Sequence, residues 1–219
     1  MKTFLARAFG AALLAASLAG CSTTPTAPVS TTPSLYQSQS APGARLDKRA
    51  AAEMVSEYRR GKGLGPVTLD PTLNAMAEAQ ATAMARNDKL SHEAGGTFKS
   101  RIAASGYRNG GMWENIGAGH DNLANAFTGW RSSPPHAKNM AQPKASRMGI
   151  AAVRAPGSRY EVFWAMELAD PNDPRPMPGS EEAQADAARA EAAQAAARSI
   201  PKFPIGAPGG IYVGGMGRM

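Results

Sequence analysis

The chain has 219 residues, one cysteine, three histidines and a formal charge of +7. A lone cysteine excludes an intrachain disulfide framework, so stability must come from an ordinary packed core. The basic residues alternate with acids and form no arginine-rich run with interleaved aromatics, which argues against nucleic acid as a partner.

The chain opens on two cations, Lys2 and Arg7, with no acid, and an alanine-rich apolar run then ends at Leu18-Ala19-Gly20-Cys21. That run falls well short of the ~20 residues a membrane-spanning helix needs, so residues 1–21 read as a lipoprotein signal peptide. The tetrapeptide resembles the bacterial lipobox, which makes Cys21 the expected lipidation site. Acyl chains there hold a protein to a membrane, each buried methylene contributing ~0.8 kcal/mol. Loss of Lys2 and Arg7 with the signal lowers the charge from +7 to +5. Ser22 behind the cysteine points to the outer membrane, facing the periplasm, or to the cell surface where there is a single membrane.

Residues 22–44 carry no charge and consist mainly of Ser, Thr, Pro, Ala and Gln, the composition of a disordered tether. Residues 45–170 have globular patterning and suffice for one domain with its own core. Leu46, Ala50, Met54 and Tyr58 keep helical spacing up to Gly61 and Gly63. Asp70-Pro71 predicts the N-cap and first turn of a second helix, continued by Leu73, Met76, Ala77, Gln80 and Met84. Thr97 caps a short third helix with Phe98 and Ile102 on one face, ending at Gly106. Leu123, Ala126, Phe127 and Trp130 form the apolar stripe of a fourth helix, which Pro134 and Pro135 stop.

Trp113 to Gly117 reads as a short strand. Met148, Ile150 and Ala152 alternate, as do Tyr160, Val162, Trp164, Met166 and Leu168 beyond a turn at Pro156-Gly157. These runs predict an antiparallel hairpin with Glu161 and Glu167 on the face opposite the tryptophan. The expected class is α+β, a small antiparallel sheet flanked by helices. Residues 171–219 form a Pro/Ala/Gly-rich tail, in which Glu181 to Arg198 has helical composition but few large apolar side chains.

Four polar features stand out: Ser91-His92, Trp113-Glu114-Asn115-Ile116, His120, and Ser133-Pro134-Pro135-His136. A lone histidine behind a helix more often caps it or bonds a backbone carbonyl than binds a ligand. Glu114, between tryptophan and isoleucine, needs a partner or a raised pKa, because burying an unpaired carboxylate is costly.

The order of these residues resembles the CAP superfamily, the SCP-like domains of cysteine-rich secretory, antigen-five and pathogenesis-related proteins, and within it the bacterial branch. The signals, from about Arg45 to Ala169, include Ser91-His92, Gly106-Tyr107 and Trp113-Glu114-Asn115-Ile116. They continue with Trp130, Ser133-Pro134-Pro135-His136-Ala137-Lys138-Asn139, Gly149-Ile150-Ala151 and Phe163-Trp164-Ala165-Met166. The resemblance implies an α-β-α sandwich in which His92 and His136 face one another across a cleft, with Glu114 beside them and Ser133 and Asn115 in the cleft. It also implies that the two histidines hold a divalent metal, most often zinc, with water or a carboxylate completing the shell. Ser132 or Ser133 stands where many eukaryotic members have a second glutamate, so the metal is expected to bind weakly. His120 is expected to be a bystander.

Three functions stay open. One is a non-catalytic cleft for a metal and a small apolar or glycan ligand, or for an envelope protein partner. Another is a metal-assisted, peptidase-like hydrolase with Glu114 as general base. The third is a structural envelope protein. Ser133 acting as nucleophile with His136 is disfavoured by the lack of a Gly-x-Ser-x-Gly elbow. The expected protein is a monomer of the first kind.

Overall fold

The computed structural model describes residues 32–107 and 109–199. The signal peptide with Cys21, residues 22–31 of the expected tether, and the tail from residue 200 lie outside the described residues.

Each of four helices starts on a side-chain cap. Asp47 accepts from Ala50 N ahead of α1 (Lys48–Arg60), and Asp70 accepts from Leu73 N ahead of α2 (Pro71–Arg86). Thr97 caps α3 (Phe98–Ser105) through Ser100 N, and Asn122 caps α4 (Leu123–Ser132) through Asn125 N. Each bond satisfies an amide without a partner inside its helix, which stabilises by about 1 kcal/mol. Gly106 closes α3 at φ 68°, a left-handed conformation that suits a residue without Cβ.

Packing adds to one helix expectation and corrects another. The deep face of α1 is Ala51, Ala52, Val55, Ser56 and Arg59, while Leu46, Ala50, Met54 and Tyr58 are only half-buried against the same core. Small residues let the helix approach the sheet, and the larger ones fill its flank. Pro134 and Pro135, expected only to stop α4, also open a further helix, α5 (Pro134–Met140). A proline in the first helical turn gives up only an amide that has no intrahelical partner.

The sheet has the order β1-β3-β4-β2, with β1 at Thr68–Leu69, β2 at Met112–Ala118, β3 at Arg147–Arg154 and β4 at Val162–Ala169. The β3–β4 and β4–β2 pairs are antiparallel, whereas the two-residue β1 runs parallel to β3, so the sheet is mixed rather than wholly antiparallel. Tyr160 and Glu161 stay outside β4, in a turn where Glu161 has φ 59°. Helices α1, α4 and α5 cover Met148, Ile150, Trp164, Met166 and Leu168 on one face. On the other face, α2 and α3 cover Ala151, Phe163, Ala165 and Ala169. This is an α-β-α sandwich, and it buries all eight residues of β4. Strand β2 is at the edge, and its outward carbonyls at Glu114 and Ile116 accept from Asn139 Nδ2 at 3.0 Å and Trp130 Nε1 at 2.9 Å.

The domain is longer at both ends than its patterning predicts. Residues 33–44, expected within the tether, lie along the domain: Leu35 packs on the core, Gln39 is buried, and Ser38 and Ser40 donate to Asp121 Oδ1 at 2.7 and 2.6 Å. Asp121 supplies the acceptors that let an uncharged, mostly polar segment order. Beyond Asp170, Gly110 N donates to Arg175 O at 3.1 Å and Met177 packs beside Ile102 and Tyr107. Helix α6 (Glu181–Ser199) follows and is exposed along nearly its whole length. No helix among the described residues is long and apolar enough to cross a membrane.

Candidate functional site

The site is built around the turn that follows α2. Gln80 is fully buried, and its amide spans that turn, Nε2 donating to Ser91 O at 2.9 Å and Oε1 accepting from Gly95 N at 3.2 Å. Arg101, on α3, donates to His92 O at 3.0 Å and to Gly96 O at 3.3 Å. Held from both helices, the turn presents His92 with its side chain 55 % exposed.

The Nδ1 of His92 lies 2.6 Å from Glu114 Oε1. Glu114 projects from β2 and is buried, with Arg101 Nη2 donating to Oε1 at 2.9 Å and Arg101 Nη1 2.8 Å from Oε2. Glu167, on β4, is paired directly with Glu114 in the strand register. It is wholly buried, and its Oε1 lies 3.4 Å from Arg101 Nη1. Burial alone would raise the pKa of Glu114, but hydrogen bonds from His92 and Arg101 outweigh it and hold the group below the ordinary carboxylate value. Burial, and then the Glu114 charge beside it, push Glu167 well above that value.

His136 sits in the first turn of α5, its Nδ1 2.9 Å from Ser133 Oγ. Burial depresses its pKa, and the neighbouring His92 depresses it further. His136 belongs to α5, on the Asn115 side of edge strand β2, and His92 to the Glu114 side. Asn115 does not line the cleft. It is fully buried, donating to His136 O at 3.1 Å and accepting from Asn139 Nδ2 at 3.0 Å, and so fastens α5 to β2. Trp113 packs into the opposite core and leaves the cleft alone. His120 lies apart, against Gly129, with its carbonyl accepting from Trp164 Nε1 at 2.8 Å, and burial lowers its pKa.

Of the residues expected to converge, His92 is paired with Glu114 and His136 with Ser133. Glu114 faces the His92 ring and Arg101, and among the described residues no group of three or more His, Cys, Asp or Glu side chains is arranged to hold a metal. What remains for an ion is the second ring nitrogen, Nε2, of each histidine. Arg101, Gln80 and Glu167 are the site residues that pattern reading misses. A signal for Glu167 was available: the alternate positions Phe163, Ala165 and Ala169 are apolar too, which marks a strand covered on both faces and leaves one charge inside it. Between α2 and α3 lies a cavity of about 570 Å³ lined by Pro71, Met76, Ala79 and Ala104 and, on the side of the site, by Arg101 and Gly95.

No curated protein matches the sequence. Among solved structures, an outer surface protein from Borrelia burgdorferi is 18% identical with a TM-score of 0.52, covering 57% of this chain and 92% of its own. An extracellular protein containing a SCP domain from Bacillus anthracis is 21% identical with a TM-score of 0.49, covering 55% of this chain and 39% of its own. The first of these shares the fold. The family described as "CAP: Cysteine-rich secretory protein family" matches residues 52–168, more than half the chain. With the sandwich and the ordered histidine and glutamate signals already in place, the protein belongs to the CAP family.

Proposed function

We propose that this is an exported CAP-domain protein, anchored to the envelope through a lipidated Cys21, whose His92 and His136 take a weakly held divalent cation without catalysis. The observation that carries the reading is the paired fixing of Nδ1: Glu114 holds it on His92 and Ser133 on His136, which leaves Nε2 of each ring as the available donor. Imidazole nitrogens suit zinc, and a carboxylate behind a ligating histidine is the arrangement that orients such a ring. Two protein donors with water completing the shell fit weak binding. A bound cation there supplies a positive, Lewis-acidic centre at the mouth of the cleft.

The hydrolase alternative asks Glu114 to take a proton, yet its carboxylate is ion-paired to Arg101 and bonded to His92 away from solvent. Such a group is a poor base. A small apolar ligand, if one accompanies the metal, finds room in the α2–α3 cavity. The same Cys21 anchor places the protein at the outer membrane, facing the periplasm, or at the surface of a single-membrane cell.

Calorimetric titration of the chain lacking residues 1–21 tests the metal site. Zinc should bind in the micromolar to millimolar range, and His92→Ala or His136→Ala should each weaken it by at least about tenfold. Acidification through the imidazole range should release the ion, since protons compete for the same lone pairs. No heat of binding at millimolar zinc would remove the metal site, and destabilised histidine variants without any zinc effect would favour the structural envelope reading.

A further inference from the structure

The buried floor of the site holds two carboxyl groups and one guanidinium. Glu114 and Glu167 are register partners on adjacent strands, their buried side chains on the same face of the sheet beside Arg101. Arg101 is the one cation among them, 2.8 Å from Glu114 and 3.4 Å from Glu167. If only nitrogen donors are counted, one oxygen of each carboxyl, Oε2 of Glu114 and Oε2 of Glu167, is sealed from water without a hydrogen bond. Two ionised carboxylates directly opposite one another in a sheet repel, and a buried one without its own cation is strongly disfavoured.

We propose that Glu167 is a neutral carboxylic acid whose Oε2–H donates to Glu114 Oε2, and that Glu167 and Arg101 act as positioning residues that aim Glu114 at His92. One proton supplies the hydrogen bond that both Oε2 atoms lack. It leaves Glu167 Oε1 to accept from Arg101 and leaves one negative charge, on Glu114, against one positive charge, on Arg101. Glu114 Oε1 is then fixed to accept the His92 Nδ1–H at 2.6 Å.

Among the described residues, no other charge packs against Glu167. Helix α2 faces β4 with Leu73, Met76, Ala77 and Gln80, β3 places Gly149 opposite Glu167, and the solvent-screened His92 lies on the far side of Glu114. The raised pKa of Glu167 agrees with this arrangement. Its purpose rests on the histidine-pair reading above, but the location of the proton does not.

Infrared spectroscopy of the metal-free protein at neutral pH tests it directly. The wild type should show a protonated-carboxyl C=O band above the amide region, and Glu167→Gln should abolish it. No band, or a band that survives in Glu167→Gln, overturns the proposal. Nitrogen-15 shifts of labelled histidine provide the positioning readout. His92 should keep its proton on Nδ1 in the wild type and in Glu167→Gln, whose amide donates as the acid does, and should become a tautomer mixture in a folded Glu167→Leu. An unchanged His92 in folded Glu167→Leu refutes the positioning role, and should that variant fail to fold, the wild-type band and its loss in Glu167→Gln decide the matter. Zinc binding enters none of these measurements, so failure of the metal reading leaves them standing.

Discussion

Gly149 is the residue on which the two layers touch. A Cβ there would fall 2.1 Å from Leu73 C and 2.2 Å from Asn74 N, inside the backbone of α2, while Asn74 Oδ1 accepts from Ile150 N at 3.1 Å. Neither backbone can yield without parting helix from strand, so Gly149→Ala should cost about 3 kcal/mol or more in urea unfolding. A loss below about 1 kcal/mol would show that α2 slides more freely than its contacts imply. The glycine was visible in the sequence, but its reason was not, because local pattern does not contain the distance from helix to strand. The site shows the same division. His92, Glu114 and His136 could be picked out because their order is distinctive, whereas alternation placed Glu167 only on the face opposite the tryptophan and did not show that α2 and α3 cover that face. Asn115 failed in the opposite sense: adjacent to Glu114 in the chain, it points to the other side of the strand and serves α5.

At the scale of elements, α5 carries His136 yet is short and begins on two prolines. It is secured by Arg59, which is fully buried in α1 and donates to Gly65 O at 2.7 Å, Met140 O at 2.8 Å, Gln142 O at 2.9 Å and Ala145 O at 2.7 Å. Carbonyls on both sides of the helix's end thus converge on one guanidinium. Arg59→Met would fill similar space but leave those carbonyls unpaired, so it should lower stability by more than about 3 kcal/mol in chemical denaturation. It should also broaden the His136 resonances before global unfolding. An arginine within a helical run reads as a solvated charge, so spacing alone does not reveal that Arg59 belongs to the deep face of α1. Capping was easier to read: Asp70 and Thr97 act through bonds to residues three positions on, and both helix starts follow the sequence signals.

For the molecule as a whole, acidity offers a separate test of the buried carboxyl pair. In the fold Glu167 keeps its proton above the ordinary carboxylate range, whereas in the unfolded chain it gives that proton up. The unfolded state then binds fewer protons, so this group's contribution to stability declines as pH rises toward the raised folded value. Glutamine has no proton to lose. The melting temperature of Glu167→Gln relative to wild type should therefore climb as pH rises above the ordinary carboxylate range, and a constant difference would contradict it. Domain limits were the least legible large-scale feature, because composition marks where charge and bulk begin. It does not reveal that Asp121 gathers Ser38 and Ser40, or that Met177 returns to the core.

Both borders of the sheet are closed by different means. One ends in a strand of two residues, and along the other an indole and a carboxamide occupy carbonyls that a newcomer's amides would seek. A neighbouring polypeptide thus finds little ladder to extend, and crowding many copies together gives poor footing for fibril growth or strand exchange. Strand addition to this sheet is therefore a poor route for any partner.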